Sequence, residues 1–149
     1  MPQTHSSPRR TPVLEEIVFL DLVRTADLLS RPVAQLFKGD DLSPAQYNVL
    51  RILRGSPDGL TCGEIANRMI TRDPDITRLL DRMEKRGLIS RGREGRDRRV
   101  VLVRISPEGL DLLTGLDQPV RELHRRLLGR LGVERLNALR ELLELCRNE

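Results

Sequence analysis

The hydrophobic period of this chain changes at Gly87, from helical to β-like, and that change limits what it can fold into. Before Gly87, Ile76, Leu79, Leu80 and Met83 recur at the i, i+3, i+4, i+7 spacing of a single helix face. Thr77, Arg78, Asp81, Arg82 and Lys85 fall off that stripe. After Gly87, residues 88–91 and 100–105 read as two short strands. Residues 92–99 between them form a glycine-containing, charged hairpin tip. A short amphipathic helix with arginines on its polar face, followed at once by a basic hairpin, is the recognition half of a winged helix-turn-helix.

The segments on either side fit that reading. Residues 1–12 hold Ser6, Ser7 and three prolines among polar residues and read as a flexible arm. Residues 13–37 show helical spacing with a wide apolar face, which Pro32 either bends or divides. Ser43-Pro44-Ala45-Gln46 is a helix start, with Ser43 as N-cap, Pro44 in the first turn and Gln46 closing a capping box. Thr61 and Glu64 repeat the box. Asp73-Pro74-Asp75 reads as a third start, with Asp73 as the cap and Pro74 as the first helical residue. Ser106-Pro107-Glu108-Gly109 opens a leucine-rich helix, bent near Pro119, and Gly132 separates a last one. The expected fold is therefore mainly α with a small β-hairpin wing, α+β. The winged helix-turn-helix occupies residues 42–105, with a helix over 13–37 before it and helices over 106–149 after it.

Charge narrows the partners. The net charge is +4, and Lys38 and Lys85 are the only lysines, so the positive charge is almost all arginine. Arginine's planar fork suits phosphate and guanine, although an arginine-biased genome would supply the same composition. With only Tyr47, Phe19 and Phe37 as aromatics, a stacking platform for single strands is disfavoured. No apolar run approaches membrane-spanning length, and no apolar stretch follows Arg9 and Arg10 as a secretory leader requires. The cytoplasm is the expected location, and no membrane partner is expected. Cys62 and Cys146 match no zinc spacing, and neither His5 nor His124 has a ligand set around it. No phosphate loop, nucleophile elbow or HExxH occurs, so neither an enzyme nor a cofactor or metal site is expected.

Several motifs stand in order along the chain: Leu42-Ser43-Pro44-Ala45-Gln46-Tyr47-Asn48-Val49-Leu50, Leu60-Thr61 with Glu64-Ile65-Ala66, and Ile76-Thr77-Arg78-Leu79-Leu80-Asp81-Arg82-Met83-Glu84. Arg86-Gly87-Leu88-Ile89, Arg91, Asp97-Arg98-Arg99 and Ile105-Ser106-Pro107-Glu108-Gly109 complete the set. Together, at this spacing, they resemble the MarR family (multiple antibiotic resistance regulators). The resemblance covers residues 42–113, about half the chain, and the flanking helices match in placement only. Asp73-Pro74-Asp75 and Glu94-Gly95 depart from the family's usual pattern. What the resemblance implies is a homodimer interlocked through helices 14–36 and 106–146. Such a dimer represses from a near-palindromic site on double-stranded DNA and, in many members, lets go for a small molecule or an oxidant.

On that reading Thr77, Arg78 and Arg82 face the major groove. Arg78 bonds guanine, Thr77 meets phosphate or a thymine methyl, and Asp81 and Glu84 compete for Arg82. Arg72 adds to this face, and Pro74 could pack on a thymine methyl. Asp75 either caps the helix or accepts from cytosine N4. Of Arg93, Arg96 and Arg98, one enters the minor groove, Arg96 or Arg98 before Arg93. The alternative for every one of these is a solvated charged surface, in a winged helix that serves a protein partner. Asp97 and Arg99 are expected to pair and shape the wing. Ser43 and Thr61 are caps, with a phosphate at Thr61 as an added possibility. Cys62, in a first helical turn, is either inert or an oxidant sensor, and Cys146 is expected in core or dimer packing. Phe19, Val23, Tyr47, Leu50 and Leu112 are candidates for an effector pocket or for ordinary core.

Overall fold

The local start signals set the helices, and the order of elements is the expected one. The computed structural model describes residues 10–93, 97 and 99–148. Most of the arm, with His5, and the wing residues Glu94, Gly95, Arg96 and Arg98 lie outside the described residues. The elements are α1 (Leu14–Lys38), α2 (Pro44–Arg54), α3 (Cys62–Arg68), α4 (Ile76–Lys85), β1 (Ile89–Gly92), β2 (Leu102–Ile105), α5 (Pro107–Leu128) and α6 (Gly132–Arg147). A 3-10 turn, Gly129–Leu131, joins α5 to α6.

Ser43 Oγ accepts from the Gln46 N–H at 3.1 Å while Gln46 Oε1 accepts from the Ser43 N–H at 3.0 Å, the reciprocal box expected. Both internal prolines are tolerated: α1 runs through Pro32 and α5 through Pro119 without a break. They line one crevice between the two helices. Helix α4 stops as expected at Gly87, where φ is +73°. Leu88 N–H donates to Met83 O at 3.0 Å and Gly87 N–H to Glu84 O at 2.9 Å, the paired bonds of a glycine-terminated helix.

The C-terminal end of α1 and the apolar faces of α2, α3, α4, the hairpin and α5 close on one core, with Phe37, Val49, Leu50, Leu53, Ile65, Met83 and Leu113 fully buried. Each such side chain contributes about 1.5–3 kcal/mol by leaving water. β1 and β2 pair antiparallel with Ile89 opposite Ile105. Leu60 and Val103 exchange both backbone bonds, which ties the α2–α3 turn to the base of the hairpin. Ser106 N–H donates to Leu88 O at 3.1 Å, and a Cβ on Gly109 would stand 2.2 Å from that same oxygen. Only glycine allows α5 to start so close to β1.

Candidate nucleic-acid interface

The start of α4 is two residues later than the sequence suggests. Asp75, not Asp73, is the N-cap: its Oδ1 accepts from the Arg78 N–H at 3.1 Å, and the helix begins at Ile76. Asp73 Oδ1 accepts from the Asp75 N–H at 2.8 Å, so the first acid closes a local turn and Pro74 sits in that turn rather than in the helix. A side chain that bonds its own backbone two residues on competes with the helix, which displaces the start.

From there the stripe behaves as its period requires. Leu79, Leu80 and Met83 are buried, Ile76 is half-buried, and Thr77, Arg78 and Arg82 are exposed on the opposite side. Arg78 Nε lies 3.8 Å from Asp75 Oδ2, a loose pair that leaves the guanidinium 70% exposed. Arg72, Pro74 and Asp75 are exposed beside it. Asp81 and Glu84, expected to compete for Arg82, are instead engaged by Arg91. The Arg91 Nη2 is 2.7 Å from Asp81 and its Nε 3.7 Å from Glu84. Nη2 is shielded from solvent yet lacks an aligned hydrogen bond, so the contact is Coulombic attraction at short range. Arg91 thus fastens the root of the wing to α4 and leaves Arg82 to the open surface.

In the wing, Arg93 is exposed. Asp97 meets Arg99 through the backbone: its Oδ1 accepts from the Arg99 N–H at 3.0 Å. A short Asp side chain readily reaches its own main chain two residues on.

Thr61 caps α3. Its Oγ1 accepts from the Glu64 N–H at 3.2 Å, and Glu64 Oε2 accepts from the Thr61 N–H at 2.8 Å. These bonds to Thr61 hold the Glu64 carboxyl below its usual range. A carboxylate therefore stands at this helix start, and capping accounts for Thr61. Cys62 is half-buried, while Cys146 is exposed on α6 and is not core.

The residues named for an effector pocket are scattered. Phe19 and Val23 are exposed on α1, Leu50 is in the core, and Leu112 packs against the core. Tyr47 alone lines a cavity: about 480 Å3 between α1, α2 and α5, walled also by Val33, Phe37, Met69, Ile70 and His124. Its ring stacks on Phe37 with centroids 4.3 Å apart, and burial pushes its hydroxyl upward in pKa. Asn48 Oδ1 accepts from the Ile70 N–H at 2.8 Å and pins the α3–α4 connection to α2. Neither that bond nor the Arg91 pairing has a signal in local sequence.

Arg54 on α2 and Asp117 on α5 form two parallel bonds of 2.8 and 3.0 Å. The pair joins the winged lobe to the long C-terminal helix. Among the described residues no cluster of three metal-ligating side chains occurs, and no helix is long and apolar enough to cross a membrane.

The family model described as MarR family matches residues 40–100. The repressor IacR of Pseudomonas putida is 30% identical, over 86% of this chain and 78% of its own length. A MarR transcription factor from Planctomyces limnophilus is 42% identical, covering 91% of this chain and 99% of its own, with a TM-score of 0.69. The repressor CouR, solved on a 23-mer DNA duplex, is 28% identical, covering 95% of this chain and all of its own, with a TM-score of 0.81.

Proposed function

The chain belongs to the MarR family of DNA-binding transcriptional regulators, and from that premise we propose that it represses genes by binding a near-palindromic operator as a homodimer. The observation that carries this reading is the outer face of α4, where Thr77, Arg78 and Arg82 stand exposed over a buried Leu79, Leu80 and Met83. Arg78 reads guanine with its fork, Thr77 meets backbone or a thymine methyl, and Arg82 meets phosphate. Arg72 and Pro74 flank the same groove. Asp75 is committed to its cap and contributes position, not base contact. Of the wing arginines, Arg96 or Arg98 before Arg93, one enters the adjacent minor groove.

Two such helices reach successive major grooves only if the subunits pair, at a spacing of about 34–36 Å. Apolar side chains support the pairing. Leu14, Phe19 and Leu28 on α1 and Val133, Leu142 and Leu145 on α6 are all at least 60% exposed in the single chain. An apolar surface of this extent on two helices needs a cover. An effector fits the apolar cavity between α1, α2 and α5. It would release DNA only by binding better to a lobe spacing that does not match the operator.

The experiment is binding of the purified protein to its own upstream DNA and to a scrambled duplex, at two salt concentrations. Tight, selective and salt-sensitive binding is expected, because displaced counterions make affinity fall steeply with salt. The Arg78→Ala/Arg96→Ala/Arg98→Ala variant should lose it. Unchanged binding by that variant would sink the residue assignments. Equal, weak binding to both duplexes and to genomic fragments would favour a winged helix that docks on a protein.

A further inference from the structure

A second cleft of about 500 Å3 lies between α2, α5 and the start of α6, away from α4, and adjoins the cavity between α1, α2 and α5, sharing Tyr47, Arg51 and His124 with it. Its charge is lopsided. Four guanidiniums line it, those of Arg51, Arg54, Arg121 and Arg125, together with the imidazole of His124. Among the described residues the only carboxylate that lines it is Asp117, and Arg54 already holds both of its oxygens. No ion pair or side-chain hydrogen bond engages the guanidiniums of Arg51, Arg121 or Arg125 among those residues.

Helix geometry makes this arrangement costly. Arg51 and Arg54 are three residues apart on α2, and Arg121 and Arg125 four apart on α5, so each pair stacks like charges on one face. The fields converge on one point: the Asp117 carboxyl is held below the usual range by its bonds to Arg54, with Arg121 and Arg51 adding to the effect. The floor is apolar, made by buried Val120 and half-buried Leu128 and Leu136. Leu142 and Leu145, the exposed residues assigned to the dimer seam, do not line it.

We propose that this cleft binds a small organic anion bearing at least two negative charges, a polycarboxylate or a phosphate ester. Its charged end sits among Arg51, Arg121 and Arg125, and its apolar part lies on Val120, Leu128 and Leu136. Guanidinium forks bond the oxygens of such groups in parallel pairs, which a scatter of lysines would not do. Three forks open to the cavity, beside one already satisfied by a carboxylate, favour a multivalent oxyanion over a monovalent one. Duplex DNA does not fit, because the cleft lies between α2, α5 and α6, away from the outer face of α4, and the volume is that of a metabolite.

The test is calorimetric titration of the DNA-free protein with citrate and with inorganic pyrophosphate at fixed ionic strength. At least one should bind, with an affinity that falls about tenfold or more in Arg121→Ala/Arg125→Ala. Arg135→Ala/Arg147→Ala removes the same charge from exposed positions of α6 outside the cleft and should change binding less than about twofold. If the alanine pair lowers the melting temperature by more than a few degrees, Arg121→Gln/Arg125→Gln takes its place. No binding of either probe up to about 10 mM, or an equal loss in both arginine pairs, overturns the proposal. So does a cleft covered by a second copy of the chain, seen as loss of dimer in Arg121→Ala/Arg125→Ala with no heat from either anion. None of these readouts involves DNA, so their failure leaves the operator reading standing.

Discussion

Arg91 on β1 holds its guanidinium 2.7 Å from the carboxylate of Asp81 on α4. Strand and helix are packed against each other, and this contact sets how the wing root sits beside α4. Arg91→Ala should therefore cost operator affinity out of proportion to stability. We expect about a tenfold loss in affinity by fluorescence anisotropy, and no more than about 1 kcal/mol in chemical denaturation, because Asp81 is half-exposed and stays hydrated. Unchanged affinity would show that the wing keeps its place without this pair.

Arg78 and Arg82 should separate by kind of contact. Arg78→Ala is expected to weaken operator binding by about 1–3 kcal/mol and to relax preference at one base pair of each half-site. Arg82→Ala should weaken all sequences alike and reduce the salt slope by about one. Binding to a panel of single-base operator variants distinguishes the two. Equal selectivity in both variants would mean that neither residue reads a base.

The Arg54–Asp117 pair predicts a pH dependence. The bonds from Arg54 hold the folded-state pKa of Asp117 below its unfolded value. Its contribution is complete above the ordinary carboxylate range and fades as pH falls through and below that range. The pair is more than a third exposed, so solvent screens it and its worth is about 1 kcal/mol or less. Asp117→Asn should lower stability at neutral pH by about that amount, and the difference from the parent should vanish in acid. A difference that persists in acid would assign the effect to packing instead.

Gly109→Ala should destabilise by at least about 1–3 kcal/mol, since the new methyl would meet the Leu88 carbonyl oxygen at 2.2 Å and α5 would have to move off β1. Gly115→Ala, with open space around its Cβ position, is the control and should be neutral or stabilising by urea melts. Equal effects at the two positions would contradict the close approach.

Leu142→Glu/Leu145→Glu should shift the protein from dimer to monomer in sedimentation at micromolar concentration, with the winged lobe still folded. These side chains are 60% and 70% exposed in the single chain and make no part of its core. A dimer that survives the double charge would place the interface elsewhere.

What the sequence by itself determined was local. The boxes at Ser43 and Thr61, the stop at Gly87 and the buried stripe of α4 each depend on residues within about one helical turn, so spacing alone specifies them. The same locality explains the misplaced start of α4. Asp73 and Asp75 are both good caps, and which one wins depends on the turn that brings the chain in from α3. Tertiary structure alone decided the rest. Arg54 meets Asp117 across 63 residues, Asn48 reaches Ile70 across 22, and the arginines of the second cleft converge only because α2 packs on α5. Phe19 and Val23 have the same apolar character as Tyr47's neighbours, yet α1 carries them out to its exposed end. Hydrophobic period shows which side of a helix is apolar. Which surface finally covers that side is set by how the helices pack, and no single helix encodes it.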